Sequence, residues 1–266
     1  MFVVRREDPQ MKKKIVAQLK QATRYEDLNK DQLREYLLLR QGSRCAYCEQ
    51  KINNKQHSKK AGGVNRSSRQ ANKIEHFHPQ SQDYSSANCE KATGVGTWEQ
   101  SPLALENMLA VCDGRIQKGG TEYCCDTKKA SKDICSDFLN PNRFAVAPSS
   151  DQVVPRRSLV RVKRDGKLVP NKLYFTDEEQ EERAQRVLDE VLNLNSTQLK
   201  DSRRKLLVAL VKQSNEKVQR QAARKHGISR QELRKKLFND AIAREEEESS
   251  ALISVYYSYG AELDKS

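Results

Sequence analysis

The chain has 266 residues, with 49 Lys and Arg against 36 Asp and Glu, a net charge of +13 and a pI near 9.4. Hydrophobic residues make up only 36%, mean hydropathy is −0.88, and no apolar run approaches the ~18 residues that span a bilayer. The opening residues, MFVVRRED, meet charge before any apolar stretch forms, so the expectation is no signal peptide, no membrane span and a cytoplasmic protein with a polyanionic partner.

In chain order, a helix is expected after Asp8-Pro9, because proline suits a first turn. A second runs from about Asp31 to Arg40, capped near Asn29 and closed by Gly42. Residues 51–73 carry seven Lys and Arg and no acid, and Gly62-Gly63, Asn65 and the serines make the stretch a loop. It reads either as a solvated insertion or, through Lys59, Lys60, Arg66, Arg69 and Lys73, as a clamp on a phosphate backbone. Pro141, Pro148 and Pro155 mark a linker. Ser158 to Val169 predicts a hairpin turning at Arg164-Asp165-Gly166. Thr176 to Glu179 reads as a capping box opening a helix through Val191. Ser196 and Ser229 are expected to cap two further helices, with Gly227 breaking between them. From Lys200 to Lys236 there are 13 basic residues against three acids, while Leu206, Leu207, Leu210, Val211 and Val218 recur at helical spacing. That pattern predicts one packed face and one charged face, with nucleic-acid contact as its secondary reading. The fold class expected is α+β: a cysteine-rich region over residues 1–145 and a mainly α-helical region over 146–266, the latter a docking platform.

Seven cysteines stand at 45, 48, 89, 112, 124, 125 and 135. In a reducing compartment closely spaced pairs read first as metal ligands. Cys45-Ala-Tyr-Cys48 has the spacing of a zinc knuckle, and the second pair must be Cys112 with Cys124 or Cys125. Cys125 is preferred, because it directly precedes Asp126-Thr127-Lys128, with Cys124 as the fallback. Cys89 and Cys135 read as small buried hydrophobes. Eleven residues separate Cys112 from Cys124, and Asp113-Gly114 through Gly119-Gly120-Thr121 reads as an inserted loop.

Between the pairs lies Ile74-Glu75-His76-Phe77-His78-Pro79, a strand-like run ended by proline. Alternation puts Glu75 and Phe77 on one face and His76 and His78 on the other. His76 is either a paired surface histidine or a functional base, and His78 a metal ligand or substrate contact. Glu106-Asn107-Met-Leu-Ala-Val-Cys112 and Cys125-Asp126-Thr127-Lys128 follow.

The order C-x₂-C, acid-His-x-x-Pro, Asn-x-Leu-x-x-Cys and Cys-[Asp/Asn/His]-x-x-Lys resembles the HNH, or ββα-metal, endonucleases over about residues 40–130. The whole chain is similar to HNH proteins of Septu-type and retron-associated anti-phage defence systems, on Ile74-Glu-His-Phe77, Asn107 to Asp113, Cys125 to Lys128, Phe138-Leu-Asn-Pro141, and Leu192-Asn-Leu-Asn195 followed by Leu199 and Arg203. The resemblance implies a two-stranded ribbon and a helix around one divalent metal, buttressed by a zinc-ribbon-like site of Cys45, Cys48, Cys112 and Cys125. It makes His76 the general base and Glu75 a ligand of Mg²⁺ or Mn²⁺. Asp126, in the place of the third motif letter, completes that oxygen site. Asn107 orients His76 or holds the ribbon turn, an ordinary helix cap being the competing reading, and Lys128 steadies the scissile phosphate. The implied activity is metal-dependent hydrolysis of DNA in a hetero-oligomer with a P-loop ATPase, since no G-x-x-x-x-G-K-[ST] occurs here. A non-catalytic zinc-ribbon that binds nucleic acid, or an RNase acting on tRNA, are the alternatives.

Overall fold

The structure, a computed structural model, describes residues 8–52, 73–80, 102–117, 120–144 and 159–222. Lys59, Lys60, Arg66 and Arg69 of the basic loop, Cys89, Pro148, Pro155, Ser158, Gly227 and Ser229 lie outside the described residues. Within them the fold is mixed α and β, with two two-stranded antiparallel sheets.

Helix α1 spans Pro9–Gln21; the Asp8 carboxylate caps it, accepting from the Gln10 and Met11 amides at 2.9 and 3.1 Å. Helix α2, Lys30–Arg40, starts where Asn29 accepts from the Gln32 amide. It ends in paired bonds from Gly42 N to Leu39 O and Ser43 N to Leu38 O. Gly42 holds φ +61° there, a conformation open to glycine at little cost. Leu33, Tyr36 and Leu37 of α2 are buried in a core shared with Ile15 of α1. Each such side chain contributes about 1.5–3 kcal/mol on leaving water.

Strand β1, Lys73–His76, pairs with β2, Met108–Val111, so that Glu75 faces Leu109 and His76 faces Met108. The other edge of β2 is covered by a side chain: the Gln41 amide donates to Ala110 O and accepts from Ala110 N, at 2.8 and 2.7 Å. Ala46, inside the Cys45–Cys48 turn, also donates to Ala110 O. The knuckle is thereby fastened to the ribbon.

Beyond Cys112 the chain makes a second hairpin, with Cys124 N on Gly114 O at 2.7 Å and Arg115 bridged to Tyr123. The segment expected as an inserted loop is therefore paired at both ends. Gly114 sits at φ +76°, and a Cβ there would collide with the Cys124 carbonyl and the Thr127 side chain. This close return brings Cys125 back beside Cys112. A short helix α3, Cys125–Lys129, follows.

Pro141 is not in a linker. It opens a turn, Pro141–Phe144, flanked by the buried amides of Asn140 and Asn142, which donate to Glu106 O, while Asn142 also donates to Met108 O. Those carbonyls bracket Asn107, and two amides satisfying buried acceptors hold a proline segment in the core.

The hairpin falls where expected, as β3, Val160–Val162, and β4, Leu168–Pro170. Helix α4, Glu178–Arg186, is capped one residue later than the sequence suggests: Asp177 accepts from the Gln180 amide at 2.8 Å, and Gln180 Oε1 accepts from Thr176 N. A carboxylate is a stronger acceptor than the neighbouring hydroxyl, which decides the register. The helix continues to Val191 through a wider π turn over Val187–Val191. Ser196 precedes α5, Thr197–Ala222, its carbonyl accepting from Lys200 N.

The Leu192–Asn195 run is a joint. Asn195 pairs with both backbone groups of Leu168, and Leu192 O accepts from Cys125 N at 2.9 Å. Buried Arg203 donates to Leu194 O and Gly166 O. One apolar cluster runs from Ile15 through β2 to Leu188 and Leu207.

Candidate functional site

Four sulfurs converge where the knuckle, the end of β2 and the start of α3 meet. The Sγ atoms of Cys45, Cys48, Cys112 and Cys125 all lie within 4.8 Å of one another. Cys45 to Cys125 and Cys48 to Cys112 are each 3.8 Å. Sulfurs placed tetrahedrally at ~2.3 Å from zinc are ~3.8 Å apart, so the edges have the length that ion requires. The cluster could hold a metal such as zinc, and Cys125 completes it. Cys124 stands beside the set, 3.5 Å from the Cys125 sulfur. Cys125 takes φ +55°, which lets two adjacent cysteines point differently. Thiol hydrogen bonds from Cys124, then from Cys125, Cys45 and Cys48, hold the Cys112 thiol well below its ordinary range. The cluster already favours a thiolate before any cation enters.

The acid–histidine pair sits at the end of β1, one strand away. Glu75 is buried, and its Oε1 accepts from Lys129 Nζ at 2.8 Å and from Tyr47 OH at 3.2 Å. Burial, reinforced by a hydrogen bond with Asp126 and opposed by Lys129, pushes the Glu75 carboxyl up to about 8. A buried carboxyl that holds its proton beside a second, partly exposed carboxyl offers a seat for a divalent cation, which replaces that proton. Lys73 reaches the same corner from β1, donating to Thr127 Oγ1 at 2.9 Å with Asp126 Oδ2 at 3.5 Å.

His76 is buried against the edge of the Tyr25 ring, 4.7 Å between centroids. Its Nε2 lies 3.0 Å from the Pro102 carbonyl, which can only accept, so Nε2 carries the proton and Nδ1 the lone pair. Nδ1 receives the Gln80 amide at 3.0 Å. Burial lowers the His76 pKa to about 4, leaving the ring neutral at physiological pH. Asn107 does not cap a helix. It accepts from His78 N at 2.8 Å and donates to His78 O at 3.0 Å, clamping the turn that follows His76.

The structure places Asp126 beside Glu75 and Asn107 on the backbone of His78, while the His76 ring faces Tyr25, Pro102 and Gln80, and the four cysteines come together as expected. Lys128 is exposed on α3, and the adjacent Lys129 is the lysine that reaches Glu75. Lys129 and Tyr47 are the two residues that sequence reasoning missed. Tyr47 occupies a variable position of the knuckle, and nothing in its spacing marks it. Lys129 follows Lys128 in a run where only three-dimensional phase decides which one is buried. β1 ends at His76, so the His78 ring leaves the strand alternation and turns to Asp133 and Cys135, while Cys135 is buried as expected. No helix among the described residues is long and apolar enough to cross a membrane. No family model matches the chain, and no curated protein or solved structure matches it.

Proposed function

We propose that this chain is a metal-dependent HNH-type endonuclease that hydrolyses DNA phosphodiester bonds. The observation that carries the reading is the Glu75 carboxyl beside Asp126 and Lys129 at the junction of one ribbon and one short helix, with a neutral His76 next to it in the strand. A module that only binds nucleic acid has no need of a buried carboxyl and a neutral imidazole on successive residues of one strand.

Glu75 and Asp126 would hold the cation, and their hard oxygens favour Mg²⁺ or Mn²⁺. Bound there, such an ion neutralises the phosphate and the departing oxygen. His76 Nδ1 accepts the proton of the attacking water when that water takes the place of the Gln80 amide. Pro102 O holds the Nε2 proton and so fixes the tautomer in which Nδ1 is the base. Asn107 fixes the backbone that carries the ring. Lys129 draws the Glu75 carboxyl toward its ionised form against the burial that raises it. Lys73 and Lys128 stand on the solvent side of the same corner, where a phosphate backbone would lie.

The zinc assignment for the four cysteines belongs to the same reading. The role in a defence complex with a P-loop ATPase, docked on the helical region, rests on the sequence resemblance; co-purification from the native host without any such ATPase would count against it. Incubating purified protein with plasmid DNA and with tRNA, each in Mg²⁺ and in Mn²⁺, tests the substrate class. Cleavage of the plasmid is expected, and cleavage of tRNA alone would make the chain an RNase.

A further inference from the structure

Cys135 and His78 form, with Asp133, a second group of metal-ligating atoms, separate from the four-cysteine cluster. His78 Nδ1, an Asp133 carboxylate oxygen and Cys135 Sγ lie within 4.8 Å of one another. Both the His78 ring and the Cys135 thiol are buried, while the Asp133 side chain keeps about a third of its surface in solvent. The Cys135 amide donates to Asp133 Oδ1 at 2.9 Å, which locks the carboxylate with Oδ2 turned toward His78.

The distances fit metal ligation as well as hydrogen bonding. His78 Nδ1 is 3.3 Å from Asp133 Oδ2 and 3.5 Å from Cys135 Sγ. The ring N–H can donate to Asp133 while the Cys135 thiol donates in its turn, and the N···O distance is longer than the ~2.7–2.9 Å of a charge-assisted bond. Around tetrahedral zinc, ligand bonds of ~2.0 Å to nitrogen and oxygen and ~2.3 Å to sulfur set edges of ~3.3 Å for N–O and ~3.6 Å for N–S. Both observed edges fall on those values. A similar agreement marks the four-cysteine cluster, where the observed edge is 3.8 Å.

The donor set is also chemically suited. One thiolate, one imidazole and one carboxylate make a borderline-soft site for Zn²⁺, unlike the hard-oxygen pair at Glu75 and Asp126. Cys135 also lines a cavity of about 470 Å³ with Asp137, Phe138, Phe175 and Arg183.

We infer that His78, Asp133 and Cys135 form a second zinc site, with water completing the coordination on the exposed Asp133 side. Binding takes the thiol proton from Cys135 and ties the turn after β1 to the segment that leaves α3. The ion therefore braces the same turn that Asn107 clamps, on the far side from His76. The inference does not depend on the nuclease reading, since it concerns metal content alone.

The test uses full-length protein, loaded with Zn²⁺ in excess Mg²⁺ and dialysed, then assayed for bound zinc. Cadmium NMR on Cd²⁺-exchanged protein distinguishes a four-sulfur resonance from one with a single sulfur, nitrogen and oxygen. About two zinc ions per chain are expected for wild type, falling to about one in Cys135→Ser, with the mixed-ligand resonance lost and the four-sulfur resonance retained as proof of folding. Wild type with a single zinc and a four-sulfur resonance only would overturn the inference, as would a Cys135→Ser protein that keeps both resonances. If Cys135→Ser loses both, Asp133→Asn at the exposed ligand decides: loss of the mixed resonance alone supports the site, and retention of both refutes it.

Discussion

Lys129 Nζ lies 2.8 Å from Glu75 Oε1, and both side chains are almost wholly withdrawn from water. An amine and a carboxyl buried together are expensive to separate, because the survivor keeps its desolvation cost and loses its partner. Their contact also joins α3 to β1, since Lys129 Nζ is 3.2 Å from the His76 carbonyl.

Lys129→Met should therefore destabilise the protein by about 3–5 kcal/mol above about pH 8, where Glu75 is ionised, measured by urea denaturation. Adding Glu75→Gln should recover a substantial part of that loss, because no buried charge is then left alone. A double variant no more stable than Lys129→Met would show that the two residues are not coupled.

Asn107→Ala removes two buried hydrogen bonds to His78 and should cost about 1–3 kcal/mol. On the nuclease reading, cleavage should fall by more than tenfold while DNA affinity stays within about twofold, since the loss is in the placing of His76. Gel-shift and plasmid-cleavage assays on one preparation separate the two effects. Equal losses in both would make Asn107 a purely structural residue.

Cys124 and Cys125 should respond differently to serine substitution. Cys125→Ser breaks the four-sulfur set and should abolish zinc at that site, with loss of cooperative unfolding, because a structural zinc of this kind contributes on the order of 10 kcal/mol to folding. Cys124→Ser should retain the ion and most of the stability. Co²⁺ substitution followed by visible spectroscopy reports the thiolate count in each. Zinc loss in Cys124→Ser alone would reverse the assignment.

Mn²⁺ binding should depend on pH with a definite sign. Below about 8 the Glu75 carboxyl holds a proton in the metal-free protein, so binding must displace it; above that pH it is already gone. Affinity should rise with pH and level off above about 8, with close to one proton released per ion at about pH 7. His76 adds nothing over this range, because burial keeps it neutral down to about 4. Calorimetry in buffers of different ionisation enthalpy measures the proton release, and Glu75→Gln should abolish it. Affinity independent of pH between 6 and 8, flat to within about twofold, would contradict a Glu75 carboxyl that holds its proton up to about pH 8.

Local chemistry made much of this molecule legible. Asp8 and Asn29 cap the helices they precede, Gly42 ends α2, and Arg164-Asp165-Gly166 turns a hairpin, because each rests on hydrogen bonds within a few residues. The choice of Cys125 over Cys124 was also readable, from its place before Asp126. What escaped was decided by long-range packing. The buried Asn140-Pro141-Asn142 turn looks like a linker because its purpose, satisfying Glu106 O and Met108 O, lies more than thirty residues away. Asp177 displaced Thr176 as a cap through a competition between two adjacent acceptors. Tyr47, Lys129 and the partnership of Asp133 and Cys135 with His78 need the ribbon and α3 in place before they have neighbours at all. No periodicity announces them.

On the proposed reading, His76 is the base of a hydrolytic centre. The direct measurement compares wild type with His76→Ala on supercoiled plasmid in Mn²⁺, with DNA affinity and thermal unfolding recorded on the same samples. Nicking or linearisation by wild type, reduced by at least about a hundredfold in His76→Ala with binding and folding preserved, is the predicted result. Equal cleavage by both proteins would contradict the account, and so would DNA binding by both with no cleavage of DNA or RNA by either.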